Sequence, residues 1–245
     1  VATRFPTLRS STAALASLAA ATCGLVQAQP DDVAIPSFDS VDSMQARVQG
    51  CTTCHGRSGE GTRSGYFPRI AGKPAAYLYH QLVAFRDGTR RYAPMNYLVA
   101  YLPDAYLREI AEHYAQQRPP FAPFEPPPAD AAVLERGRRI ATQGDRERGV
   151  PACVACHGGA LTGMEPGIPG LVGLRPTYIA AQLTRWRVGE RHAAEPDCMR
   201  RIASRMPEAD IAAVAAWLGR QPAPRDAAPE KPDLVRMPLA CGSQR

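Results

Sequence analysis

The pattern Cys-x-x-Cys-His occurs twice in this chain, as Cys51-Thr52-Thr53-Cys54-His55 and as Cys153-Val154-Ala155-Cys156-His157. Nothing else in the sequence restricts the fold as much. Each copy reads as a covalent attachment site for c-type haem, in which two thiols form thioethers to the porphyrin and the histidine ligates the iron. One copy alone could be a redox dithiol. Two copies about a hundred residues apart, each followed by a glycine (Gly56, Gly158), point to two units, each organised round a macrocycle. The motifs take four of the seven cysteines.

Residues 1–28 read as a secretory leader. Arg4 and Arg9 supply a positive start, Ala13 to Val26 an apolar stretch, and Val26-Gln27-Ala28 a small-residue cleavage site. The apolar stretch falls short of the roughly 20 residues of a spanning helix, so cleavage is expected over an uncleaved anchor. A lipoprotein signal at Cys23 fits poorly because Thr22 precedes it. Export agrees with the motifs, since bacteria attach c-type haem outside the cytoplasmic membrane. The expected place is the periplasm, soluble or loosely held at the membrane surface. The formal charge of +6 falls nearer +4 without Arg4 and Arg9, and haem propionates would largely cancel it. The basic balance therefore says little about partners. Nucleic acid is not expected, because no basic-aromatic binding module is visible.

An internal duplication organises the rest. With the two motifs aligned, Pro68-x3-Gly72 matches Pro169-x3-Gly173, Tyr77 matches Tyr178, and Gln81-Leu82 matches Gln182-Leu183. Phe85-Arg86-x-Gly88 matches Trp186-Arg187-x-Gly189, and Arg90 matches Arg191. Met95 followed by Leu102-Pro103 matches Met199 followed by Met206-Pro207. The expected domains are 40–118 and 130–221, joined by a Pro-rich linker at 119–129 and followed by a Pro-rich tail at 222–245. The linker prolines exclude a helix. An extended chain there reaches up to roughly 30 Å, and Phe121 and Phe124 suggest that it lies along a domain surface. Helices are expected at Val41–Gln49, Val133–Thr142, Pro74–Arg86, Pro103–Gln117 and Pro207–Arg220, with proline tolerated in a first turn. No strand pattern is evident. The fold class is all-α, a few short helices around one haem in each unit.

These features resemble the dihaem cytochromes c of the cytochrome c4 type, two class I cytochrome c domains in tandem. The resemblance covers nearly all of residues 40–221; the tail is longer and richer in proline than the family leads one to expect. It implies that His55 and His157 are proximal ligands whose second ring nitrogen bonds a carbonyl, at Pro68 and Pro169.

For the sixth ligand, Met95 has no sulfur rival in the first unit. The second offers Met164, Met199 and Met206, and the repeat selects Met199. His192 is a weaker rival there, while His80 and His113 are expected to be bystanders. The site is thus Cys51, Cys54, His55 and Met95 for one haem, and Cys153, Cys156, His157 and Met199 for the other. Arg86, Arg90, Arg187 and Arg191 could meet haem propionates or could be solvated helix ends. Tyr77, Tyr178, Gln81 and Gln182 could line the haems or simply pack helices. Cys198 and Cys241 are either a disulfide, as an oxidising compartment favours, or two free thiols.

A thioether opposite an imidazole favours Fe(II) and closes the iron. The expectation is therefore an electron carrier rather than an enzyme, with respiratory or periplasmic redox proteins as donor and acceptor. One alternative is the cytochrome subunit of a periplasmic dehydrogenase. Another is a dihaem enzyme with one labile ligand.

Overall fold

Ser43 opens the first helix, α1 (Met44–His55), its hydroxyl accepting a hydrogen bond from the Ala46 amide at 3.3 Å. Such a cap satisfies a donor that the helix itself leaves unpaired. The computed structural model describes residues 40–62, 66–232 and 237–244, which lie in a single unit, 38–245. The leader expected at 1–28 lies outside the described residues. After α1 the first half adds α2 (Ala75–Arg86), α3 (Ala93–Val99) and α4 (Asp104–Gln116). The second half runs α5 (Ala131–Gln143), α6 (Val154–His157), α7 (Pro176–Arg187), α8 (Cys198–Ala203) and α9 (Glu208–Leu218).

Each half closes on its last helix. Pro103 and Pro207 precede α4 and α9, so each helix begins one residue later than the sequence suggested. In α4 the buried stripe is Leu107, Ile110, Ala111 and Tyr114; in α9 it includes Ile211, Val214, Ala215 and Leu218. Both follow the i, i+3, i+4, i+7 spacing of one helical face. Helix α2 packs on α4, and α7 on α9. Helix α5 crosses α9 so closely that a Cβ on Gly137 would stand 2.1 Å from the Ala213 carbonyl oxygen, which is why glycine sits there.

The linker follows the surface, as its phenylalanines suggested. Arg69 donates to the carbonyls of Pro119 (2.6 Å) and Pro120 (3.1 Å), and its guanidinium lies over Phe121 at 4.2 Å. Arg175 lies over Phe124 at 3.8 Å. Such cation–π contacts contribute about 0.5–2 kcal/mol each.

Two features differ from expectation. A small antiparallel ribbon pairs β1 (Gly163–Met164) with β2 (Ile168–Pro169), and two residues per strand are too few to show alternation. The two methionines that the repeat aligns sit on short helices of their own, α3 and α8, of seven and six residues. Fewer than two turns give no readable period. Among the described residues no helix is long and apolar enough to cross a membrane.

Candidate functional site

Helix α1 carries the first motif in its last turns, so Cys51, Cys54 and His55 share one face by their i, i+3, i+4 spacing. Gly56, at φ +82°, stops the helix. The His55 Nδ1 is 2.9 Å from the Pro68 carbonyl oxygen. A carbonyl only accepts, so Nδ1 carries the proton and Nε2 keeps its lone pair. Burial lowers the His55 pKa, the Pro68 carbonyl opposes this, and Arg90 lowers it further. The ring is therefore neutral, the form that ligates a metal. Cys51, Cys54, His55 and Met95 line one cavity of about 310 Å³.

The second half repeats this arrangement with a different local build. Cys153 precedes the four-residue helix α6, which ends at His157 and stops at Gly158, φ +86°. The His157 Nδ1 lies 2.7 Å from the Pro169 carbonyl oxygen. Burial lowers the His157 pKa, and Lys73 adds to the effect. Cys153, Cys156, His157 and Met199 line a second cavity of about 130 Å³. Burial pushes the Cys153 thiol up to about 12 and Cys156 to about 11. Nucleophilic redox cysteines have lowered pKa values, so the dithiol reading of the motif loses ground.

Around Met199 the C-terminal tail closes in. Cys198 and Cys241 form a disulfide, S–S 2.02 Å, so the pair is not two free thiols. Leu239, Cys241 and Ser243 line the second cavity. Asp197 caps α8 by accepting from the Arg200 amide at 2.9 Å. Of the rival methionines, Met164 is fully buried against Ile168 and Cys198 and lies off the cavity, while Met206 both lines the cavity and packs in the core. His80, His113 and His192 line neither cavity.

The two cavities abut. Lys73, Tyr77, Gln81, Tyr178 and Gln182 line both of them. Arg90 donates to Gln81 (2.7 Å), Tyr178 (3.1 Å) and Gln182 (3.1 Å); Arg191 donates to Gln182 (2.8 Å), Tyr77 (3.3 Å) and Gln81 (2.8 Å). Each arginine thus binds its own half's glutamine and reaches across to the other half's tyrosine and glutamine. The four arginines that the repeat aligned divide here. Arg90 and Arg191 are buried at the interface. Arg86 pairs with Asp87 and Asp104 at the surface, and Arg187 is exposed, as solvated helix ends are.

The residues round each cavity suit a haem. Both hold a cysteine pair and a neutral imidazole with a free Nε2. Trp186 Nε1, on the wall of the second cavity, is buried without a hydrogen-bond partner, which an enclosed group would explain. Arg90 and Arg191 are buried among neutral acceptors, and propionates would supply the missing negative charge. The chain is 40% identical over 172 residues to the "Thiosulfate dehydrogenase electron acceptor" of Thiomonas intermedia, covering 70% of this chain and 78% of that protein. It is 34% identical over 176 residues to cytochrome c4 of Pseudomonas aeruginosa, covering 71% and 85%. The crystal structure of reduced recombinant cytochrome c4 from Pseudomonas stutzeri superposes with a TM-score of 0.61 at 29% identity, over 71% of this chain and 94% of that one. The chain belongs to the cytochrome c4 family. No family profile matches it. As a dihaem cytochrome c4-like protein it consists of two class I cytochrome c domains, carries two covalently bound haem c groups and serves electron transfer.

Three residues of this cytochrome were not legible as site residues. Lys73 replaces the repeat's Leu174, and that mismatch was the available signal. Glu230 accepts from the Gly159 amide at 2.7 Å, beside the second motif, from 71 residues away. Tyr114 is buried in α4 and lines the first cavity where the matching Leu218 lines the second.

Proposed function

We propose that this cytochrome is a periplasmic electron carrier with two His/Met-ligated haems, passing electrons between a respiratory or periplasmic donor and a terminal oxidase or reductase. The axial ligands in this reading are His55 and Met95 for the first haem, and His157 and Met199 for the second. The observation that carries it is the grouping of a cysteine pair, a carbonyl-held histidine and a methionine from a separate short helix round each of two abutting cavities. When bound, each haem supplies a one-electron Fe(III)/Fe(II) couple.

The chain's own residues do the rest. The Pro68 and Pro169 carbonyls fix each imidazole and its tautomer. Arg90 and Arg191 would hold the propionates, and their hydrogen bonds from one half to the other keep the two sites close. The apolar walls exclude water, so little reorganises when charge changes. The motifs, read with the leader expected at residues 1–28, support export to the periplasm, in solution or held at the membrane surface.

The test is carbon monoxide binding to the reduced protein. The wild type is expected to bind little, while Met95→Ala and Met199→Ala each open one site, and potentials fall with the loss of sulfur. Ready binding by the wild type would point instead to a dihaem enzyme with a labile ligand.

A second reading keeps the chemistry and names the donor: the electron-accepting subunit of a periplasmic dehydrogenase. The relative in Thiomonas intermedia, named for that role, favours it. Reduction of this cytochrome by thiosulfate in the presence of a thiosulfate dehydrogenase, and not in its absence, checks it.

A further inference from the structure

Lys73 stands out in the wall that the two cavities share. It belongs to the first half, in the turn before α2, and is only 8% exposed. Its Nζ donates to the Gly170 carbonyl of the second half at 2.8 Å. Gly170 follows Pro169, whose carbonyl holds the His157 ring. An ammonium has three donors, so two remain after the bond to Gly170, on a side chain that lines both cavities. No carboxylate pairs with it among the described residues.

The repeat gives this lysine no counterpart. The matching residue in the second half is Leu174, apolar and buried. By contrast Arg90 and Arg191 are matched, and their cross-interface bonds mirror one another, so their charges act on both halves alike. Lys73 is the unmatched cation of the shared wall, and its one hydrogen bond ties it to the proximal loop of the second half.

We propose that Lys73 makes the two haem sites unequal, its ammonium on the Gly170 carbonyl holding the second haem at a higher potential than the second half alone would set. This rests on the reading that His157 is the proximal ligand of that haem. The physical basis is the sign of the charge. Oxidation adds a positive charge at the iron, and a cation confined in a poorly solvated wall disfavours it. Burial lowers Lys73 to about 8, so it remains protonated at neutral pH. The consequence is directional, because the charge shifts the intramolecular electron equilibrium toward the second haem.

The test is redox titration of the holoprotein in the wild type, Lys73→Met and Lys73→Arg. Proton resonances assign the haems through contacts with Phe85 in the first cavity and Trp186 in the second. In Lys73→Met the intramolecular equilibrium is expected to shift at least tenfold toward the first haem, about 59 mV for one electron. Most of the change falls on the second haem, and Lys73→Arg restores the larger part of it. Should Lys73→Met fail to load both haems, Lys73→Gln removes the same charge and keeps a donor for Gly170, and it is expected to shift the equilibrium in the same direction. Unchanged potentials in a charge-removing variant, an equal fall at both haems or a fall at the first haem alone overturns the proposal. A His157→Ala variant that keeps the second haem's ligation spectrum removes the reading beneath it instead, and a wild type with two haems and a His157-dependent spectrum sustains it.

Discussion

After the first Cys-x-x-Cys-His motif the turn is steadied from within: Glu60, five residues past His55, accepts from the Ser58 amide at 2.8 Å. After the second motif the carboxylate comes from the C-terminal tail, where Glu230 accepts from Gly159. The contrast extends to the faces above the two methionines. On α3 and just after it, Tyr97 and Tyr101 are 82% and 94% exposed, and Leu98 lines the first cavity close to the surface. In the second half the tail packs at the start of α8, against Met199 and pinned through Cys198 and Cys241, while Arg201 and Arg205, which match the two tyrosines, are exposed. One duplicated plan thus gives an open site and a strapped one, and an added segment rather than a change in the plan makes the difference.

The interiors differ in the same sense. Among the described residues the second half has a cluster of thirteen buried hydrophobic residues and a smaller one of four that joins it to the tail, whereas the first has clusters of only five and three. A small divided core leans more heavily on the group that fills its cavity. The largest effect should therefore come from removing the attachment cysteines. In Cys51→Ala/Cys54→Ala the first half is expected to lose most of its helical circular dichroism. Cys153→Ala/Cys156→Ala should leave the second half's helices largely formed, held by α5 on α9 and by the disulfide. Equal losses in the two variants would erase the distinction.

The strap itself is next in size. Cys198 and Cys241 are separated by 43 residues, and closing a loop of that length stabilises by about 4 kcal/mol if chain entropy dominates. Cys198→Ser/Cys241→Ser should lower the denaturation midpoint accordingly. In a Met95→Ala/Met199→Ala background it should also speed carbon monoxide uptake at the second haem alone, since Leu239 and Ser243 no longer cover that cavity. Faster uptake at both haems would show that the strap steadies the whole molecule rather than one site.

Sequence reading reached the helical class, the duplication, the surface course of the linker and the identity of the cofactor, because each rests on local spacing. It brought together the residues that line each cavity, since motif and methionine recur at matched intervals. What it missed depends on distance or burial. Lys73 shows in the chain only as a mismatch to Leu174 in the repeat; its burial against Gly170 gives that mismatch its weight. The partnership of Glu230 with Gly159 spans 71 residues and involves no motif. Arg90 and Arg86 were equivalent in the repeat, yet one is buried at the interface and the other pairs at the surface with Asp87 and Asp104. Nothing in periodicity separates them, because that depends on how the halves dock.

The smallest predicted effect is the most discriminating. Glu60→Ala and Glu230→Ala each delete one carboxylate–amide hydrogen bond, worth about 1–2 kcal/mol. In the second half, however, the tail also pairs through its backbone, Glu230 N to Gly163 O at 2.9 Å and Glu165 N to Glu230 O at 2.8 Å. These bonds persist only while the tail stays docked. Removing the disulfide should therefore diminish the effect of Glu230→Ala toward zero, because a released tail no longer presents the carboxylate to Gly159. The effect of Glu60→Ala should be the same with and without the disulfide. Denaturant titration of the four combinations in each half gives the coupling energies directly. Coupling in the second half and none in the first would locate the asymmetry in the strap; equal costs for Glu230→Ala in both backgrounds would mean that the tail docks on its own and the disulfide merely records it.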